Sequence, residues 1–240
     1  ADECIVVDHG STDGTPELAR SLGATVHSTP DWPGFGPQKN RALEQATGRW
    51  VLSIDADERV TPELARGILE VVQQDETVAR RPFDAYRLSR LSSFCGQWIR
   101  HGDWYPDRVT RLFRREAGRF TEDRVHERLD VNGPTGLLEG NLLHHTMSDL
   151  HDALDKLNRY STGRAQDMQR NGRRGGLGAA LGHAAWAFVR TYGLKRGFLD
   201  GRLGFVLALY VAESTYYRYL KLGLLPAAPP KARSGAEIAP

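Results

Sequence analysis

Cysteine is scarce in this 240-residue chain: Cys4 and Cys95 stand far apart and in no CxxC pattern. That excludes a disulfide framework and a zinc site, and it fits a reducing compartment. Long hydrophobic runs are missing too. The most apolar stretch, GFVLALYVA at residues 204–212, falls far short of the roughly 20 residues that span a bilayer, and no signal peptide is visible. The chain has no internal repeat, no P-loop lysine and no GxGxxG spacing, which excludes the two commonest phosphate-cradle designs.

Net charge is also low, at +2, but its distribution is uneven. Residues 151–225 carry twelve Lys and Arg against five Asp and Glu, an excess of seven that leaves the rest of the chain at −5. An acidic part and a basic part with different tasks are therefore expected. A boundary at residues 147/148 separates them, and the Pro- and Ala-rich stretch at residues 226–240 reads as a disordered tail.

Along the acidic part, short β-branched runs alternate with helix signals. ECIVVD at residues 3–8 reads as a buried strand, and Thr15 followed by Pro16 opens a helix that Gly23 closes. ATVH is a second strand. Pro37 starts a second helix, WVLSID is a third strand, and Thr61 with Pro62 opens a third helix. This order implies a mostly parallel sheet flanked by helices. From residue 85 to residue 145 strand-like pieces prevail and imply an antiparallel or mixed extension of the sheet. Helical periodicity returns from residue 148 to residue 225.

Ligands of an open α/β sheet bind beyond the carboxyl ends of its strands, where Asp8 and the DADE run at residues 55–58 are expected. Asp55 and Asp57 can offer hard oxygen ligands to a divalent cation beside a phosphate, or can simply begin a turn. In VDHGSTDGT, residues 7–15, Gly10 permits a tight turn, and Asp8 and Ser11 can bind a nucleoside or satisfy an ordinary strand-to-helix turn. In WPGFGPQKNRAL, residues 32–43, Lys39 and Arg41 fall in the expected first turn of a helix. Cations there oppose the helix dipole unless an anion binds, although a solvated charged face would also explain them.

Taken in order and spacing, IVVDHGSTDGT, WPGFGPQKNRAL and WVLSIDADE resemble the inverting family 2 glycosyltransferases of GT-A fold. RLFRREAGRFTEDRVHERL, LLHHT, KLNRY and GFLDGRLGFVLALYVAESTYYRYLKL narrow the resemblance to the lipopolysaccharide core glucosyltransferases. It implies a nucleotide-diphospho-sugar transferase sheet. Because family members carry a further strand and helix ahead of the stretch matched at residue 1, the first βα unit is expected to be missing.

The resemblance also implies roles. Asp8, Gly10, Ser11, Lys39, Arg41 and Asp55 would bind the nucleotide-sugar, with UDP-glucose as the expected donor. Asp57 with Asp55 would hold Mg²⁺ or Mn²⁺ at the diphosphate. Inverting transfer needs one carboxylate to take the acceptor proton. Glu127 of the VHE triplet is the first choice and Asp123 the competitor, with His126 orienting the base or binding the metal. Glu58 reads as a bystander. Trp98 and Trp104 can line an acceptor pocket or fill the core, and of His144 and His145 one can reach the site.

The basic aromatic helices at the C-terminal end fit either an anionic membrane surface or an ordinary helical cap. A lipid-linked saccharide acceptor favours peripheral attachment at the inner face of the cytoplasmic membrane. Nucleic acid is not expected, because the cations are interleaved with aliphatic residues rather than exposed stacking groups. A nucleotidyltransferase, or a binding remnant without activity, is the other reading kept in view.

Overall fold

The computed structural model describes residues 1–77, 82–122 and 127–226. The chain divides into two compact units, one from Ala1–Leu91 with Pro106–His144 and one from Ser92–Tyr105 with His145–Pro240. Residues 92–105, assigned to the first domain on sequence, belong to the second unit.

In the first unit, β1 (Ile5–Asp8) and β2 (Thr25–Ser28) flank α1 (Thr15–Ser21) and pair in parallel, with Asp8 opposite Ser28. Three successive β-branched or aliphatic residues make β1 extended, and Asp8 ends it by accepting from the following turn. Next come α2 (Phe35–Gln45), β3 (Trp50–Leu52), β4 (Glu58–Val60) and α3 (Pro62–Thr77). The later strands are β5 (Ala85–Phe94), β6 (Gln97–Trp98), β7 (Asp107–Arg114), β8 (Gly118–Phe120), β9 (Leu129–Val131) and β10 (Thr135–Met147).

The main sheet has the order β3-β7-β5-β10-β4, with β6 on β5. Its ladders β3–β7, β7–β5, β5–β6 and β10–β4 are antiparallel. The expected parallel pairing is found in β1–β2, which forms its own two-stranded sheet. The mostly parallel sheet expected from strand–helix alternation is therefore replaced by a parallel pair beside a main sheet whose described ladders are antiparallel. Leu64 of α3 packs on Leu88 and Leu142 of the sheet, while Ala85, Phe113 and Phe120 form a second buried cluster.

Strand order explains the geometry of the acidic run. WVLSID does not form one strand: β3 stops at Leu52, and residues 53–57 cross to β4 at the opposite end of the strand order. They pass three intervening strands, so residues of β7, β5 and β10 can all meet them.

In the second unit, α4 (Leu150–Arg170) is capped by Asp149, whose side chain accepts the Asp152 N–H at 2.9 Å. α5 (Leu177–Phe188) runs into a π-helical turn, Val189–Leu194, and a 3₁₀ turn, Gly197–Asp200, before α6 (Gly201–Leu224). The Gly176 N–H donates to Tyr219 O at one end, and Phe188 meets Phe205 at the other, so α5 and α6 are antiparallel. Phe94, Ile99, Met147, Ala153 and Leu207 form the core, with Trp104 packed against it. Trp98 meets the His145 ring at 5.0 Å. The buried Asp200 carboxylate accepts the N–H groups of Arg100 and His101, the latter at 2.8 Å.

Candidate active site

The acidic turn closes on itself. Glu58 N–H donates to Asp55 O at 3.0 Å, and Asp55 N–H donates to Glu58 Oε2 at 2.9 Å. Glu58 is buried, and its Oε1 lies 2.7 Å from Arg111 Nη2 and 3.4 Å from Arg90 Nη1. Arg111 Nη2 also reaches Asp55 Oδ2 at 2.5 Å. Arg90 is held in turn by Asp107 at 2.6 Å. The residue read as a bystander is thus the buried anchor of the turn, tied to arginines from β5 and β7.

Asp55 faces a second cation. Lys39 Nζ of α2 lies 2.9 Å from Asp55 Oδ1 and 3.1 Å from Glu127 Oε1. Burial works to raise the Asp55 pKa, but Arg111 and then Lys39 outweigh it and hold the carboxyl below the usual range. Asp55 and Glu58 hold Arg111 above its usual value against the effect of burial. Asp57 is half-exposed, with Oδ2 3.3 Å from His144 Nε2 of β10. That hydrogen bond, more than any other cause, lowers the Asp57 pKa. Of the adjacent histidines, His144 is the one that reaches the acidic run.

Glu127 gains its position from local clamps. Asn40, buried on α2, donates its amide to Phe120 O at 2.9 Å and accepts the Phe120 N–H at 3.0 Å. Thr121 N–H donates to Arg128 O at 2.8 Å, which closes the segment beyond β8. Gly36 allows the close approach: a Cβ there would lie 1.8 Å from Thr121 O and 3.3 Å from the Glu127 Cβ. Asp123 and His126 lie outside the described residues.

The remaining residues sit around the first strand and helix. Asp8 accepts the Ser11 hydroxyl at 2.5 Å and the Ser11 N–H at 3.1 Å, and the hydroxyl contact leads the lowering of its pKa. Gly10 takes a φ of 72°, which supports this turn. Close by, His9, Trp32 and Phe35 form a chain of rings, with centroids 5.6 Å and 4.9 Å apart, and the last two are about half exposed. Such faces can stack on a planar base. Helix α2 starts at Phe35, two residues before the expected Pro37, so Lys39 and Arg41 are its fifth and seventh residues rather than first-turn cations. Arg41 pairs with Asp31 at 2.7 Å.

Among the described residues no group of three or more His, Cys, Asp or Glu side chains could hold a metal ion. Both Asp55 oxygens face cations, whereas Asp57 offers an exposed carboxylate with an imidazole beside it. That donor set fits a cation that takes one or two protein ligands and completes its shell with phosphate and water.

Sequence reading missed Glu58, Arg90 and Arg111. The available signal was Arg111 itself, a charge directly preceding the buried pair Leu112 and Phe113 in a strand.

Residues 1–117 match the family described as Glycosyl transferase family 2. The uncharacterized glycosyltransferase RP128 of Rickettsia prowazekii (strain Madrid E) is 30% identical over 236 residues, covering 92% of this chain and 77% of that protein. The lipopolysaccharide core biosynthesis glycosyltransferase LpsC of Rhizobium meliloti (strain 1021) is 30% identical over 230 residues, covering 90% and 83%. A crystal structure of S. aureus TarS 1-349 in complex with UDP-GlcNAc covers 92% of this chain and 81% of that one at 15% identity, with a TM-score of 0.43, too loose a likeness to bear on the site. With two relatives matched over most of their length, the chain belongs to glycosyl transferase family 2 and is a glycosyltransferase of α/β fold.

Proposed function

We propose that the chain transfers a hexose, glucose first among the candidates, from a nucleotide-diphospho-sugar to a lipid-linked glycan of the lipopolysaccharide-core kind, with inversion at the anomeric carbon. The observation that carries this reading is Lys39, whose Nζ touches both Asp55 and Glu127 and so joins the donor-side acid to the base. The acceptor class is supported by the likeness to LpsC, and the donor class by family membership. Such an acceptor places the work at the inner face of the cytoplasmic membrane.

The reaction is one displacement. The acceptor hydroxyl oxygen bonds to the anomeric carbon, the bond from that carbon to the diphosphate breaks, and Glu127 takes the hydroxyl proton. Asp8 and Ser11 bind the nucleoside, and Lys39 supports the charge that grows on the leaving diphosphate. Asp57, with His144 beside it, would hold Mg²⁺ or Mn²⁺, which neutralises diphosphate charge when bound. Asp55 is better suited to orienting Lys39 and Arg111 than to binding the metal directly.

The test is release of nucleoside diphosphate from UDP-hexoses in Mn²⁺ or Mg²⁺, with and without core glycolipid. No release from any of them sinks the proposal. Asp57→Ala is expected to cut the metal-stimulated rate by about 10²-fold while the fold persists, as read by circular dichroism. Gly36→Ala should displace Thr121 and Glu127 and lower the transfer rate by up to about 10²-fold with little change in donor affinity. An unchanged rate in that variant would separate Glu127 from the chemistry.

A further inference from the structure

The second unit has a helix that is unusual for an outer surface. α5, LGAALGHAAWAF, contains no Lys, Arg, Asp or Glu. One side rests on α6, where the His183 and Tyr219 rings stack at 4.1 Å. On the remaining surface Leu177, Leu181 and Trp186 are each more than half exposed, and Val189 continues that surface into the π-helical turn. A helix apolar on all sides is ordinarily buried in a core or in lipid. At 12 residues α5 is about 18 Å long, against roughly 30 Å of bilayer hydrocarbon, and no helix among the described residues is long and apolar enough to cross a membrane.

Along the chain, the charges flanking α5 are of one sign, although Asp103 pairs with both Arg190 and Lys195. Residues 168–199 include Arg170, Arg173, Arg174, Arg190, Lys195 and Arg196, and no Asp or Glu. Beside the helix, a cavity of ≈ 360 Å³ is lined by His183, Trp186, Arg190, Tyr210, Thr215 and Arg218. Arg190 is paired with Asp103 at 2.8 Å, but the buried Arg218 Nε has no hydrogen-bond partner, and no carboxylate pairs with Arg218 among the described residues. Burial pulls the Arg218 pKa down, and Arg164 adds to that effect. Arg218 is only partly buried and its guanidinium lies 5.3 Å from the Tyr219 ring centroid, so it lines the groove as a cation without a pairing carboxylate among the described residues and favours an anion that approaches along an apolar face.

We infer that the α5–α6 hairpin docks on an anionic phospholipid bilayer, with the outer face of α5 in the headgroup–acyl boundary and a lipid phosphate received on Arg218. This names the partner surface for the membrane association in the reading above, and its test does not depend on sugar transfer.

The full chain is sedimented with vesicles of phosphatidylglycerol and phosphatidylcholine, or of phosphatidylcholine alone. Binding at least about tenfold tighter to the anionic vesicles, weakening as salt rises, is expected. Leu181→Glu with Trp186→Glu, both at exposed positions, should reduce that binding about tenfold or more with the far-ultraviolet spectrum unchanged. Arg218→Met should reduce the preference for phosphatidylglycerol with little change in melting temperature, because no carboxylate pairs with Arg218 among the described residues and Met keeps the apolar stem. UDP-hexose hydrolysis without vesicles should be the same in these variants as in the parent. Equal binding to both vesicles, or none, overturns the inference. So does a stable dimer that Leu181→Glu with Trp186→Glu dissolves, since a second copy would then cover the face. Displacement by inorganic phosphate beyond that caused by chloride of equal ionic strength would make the groove a free-anion site and overturn the lipid assignment.

Discussion

Glu127→Gln is expected to lower the transfer rate by about 10²–10⁴-fold while leaving nucleotide-sugar affinity within a few-fold of the parent. The amide keeps the shape and can still accept from Lys39, so the 3.1 Å contact and the local fold should persist. What is lost is the capacity to take a proton from the acceptor hydroxyl. Single-turnover transfer measured beside donor binding by calorimetry separates these effects. A rate within tenfold of the parent would remove Glu127 as the base and turn attention to Asp123. Azide as an external nucleophile offers a control, because it needs no proton removed and should partly restore consumption of the donor.

Replacing Glu58 with Leu should cost the first unit about 3–5 kcal/mol of stability, the usual penalty for breaking a buried ion pair from one side. The Glu58 side chain is 0% exposed and is placed between Arg90 and Arg111. Without it, Arg111 keeps only Asp55 among the described carboxylates that pair with it, and the Asp55 N–H loses its acceptor. Urea unfolding measures the loss. Glu58→Leu combined with Arg111→Met should recover part of it, because the second change removes the charge left without a partner. If Glu58→Leu alone changed stability by less than about 0.5 kcal/mol, the anchor role would be wrong.

Much of the local structure was legible in the sequence. Proline at the first turn marks the start of α1 and α3, β-branched runs mark β1 and β2, and the return of helical spacing marks α4 through α6. These are signals within a few residues of the element they describe. The Asp55–Asp57 pair was legible for the same reason, as were the turn formers around Asp8. The sheet's predominantly antiparallel ladders were not, because strand–helix alternation indicates neighbours along the chain, whereas β3 and β4 are separated in the sheet by strands from residues 85–147.

The site shows where this limit lies. From sequence alone, this protein is a family 2 glycosyltransferase candidate with acids after its third strand and a basic, aromatic C-terminal part, because composition, spacing and motif are properties of the chain itself. Tertiary structure alone decided that Glu58 is the anchor, that Arg90, Arg111 and His144 converge on the acidic turn, and that Lys39 joins Asp55 to Glu127. The pairings with the acidic turn depend on residues 53–57 crossing the ends of three strands, whereas Lys39 meets Glu127 because α2 packs on the segment beyond β8. Strand order is set by burying apolar faces shared among distant segments.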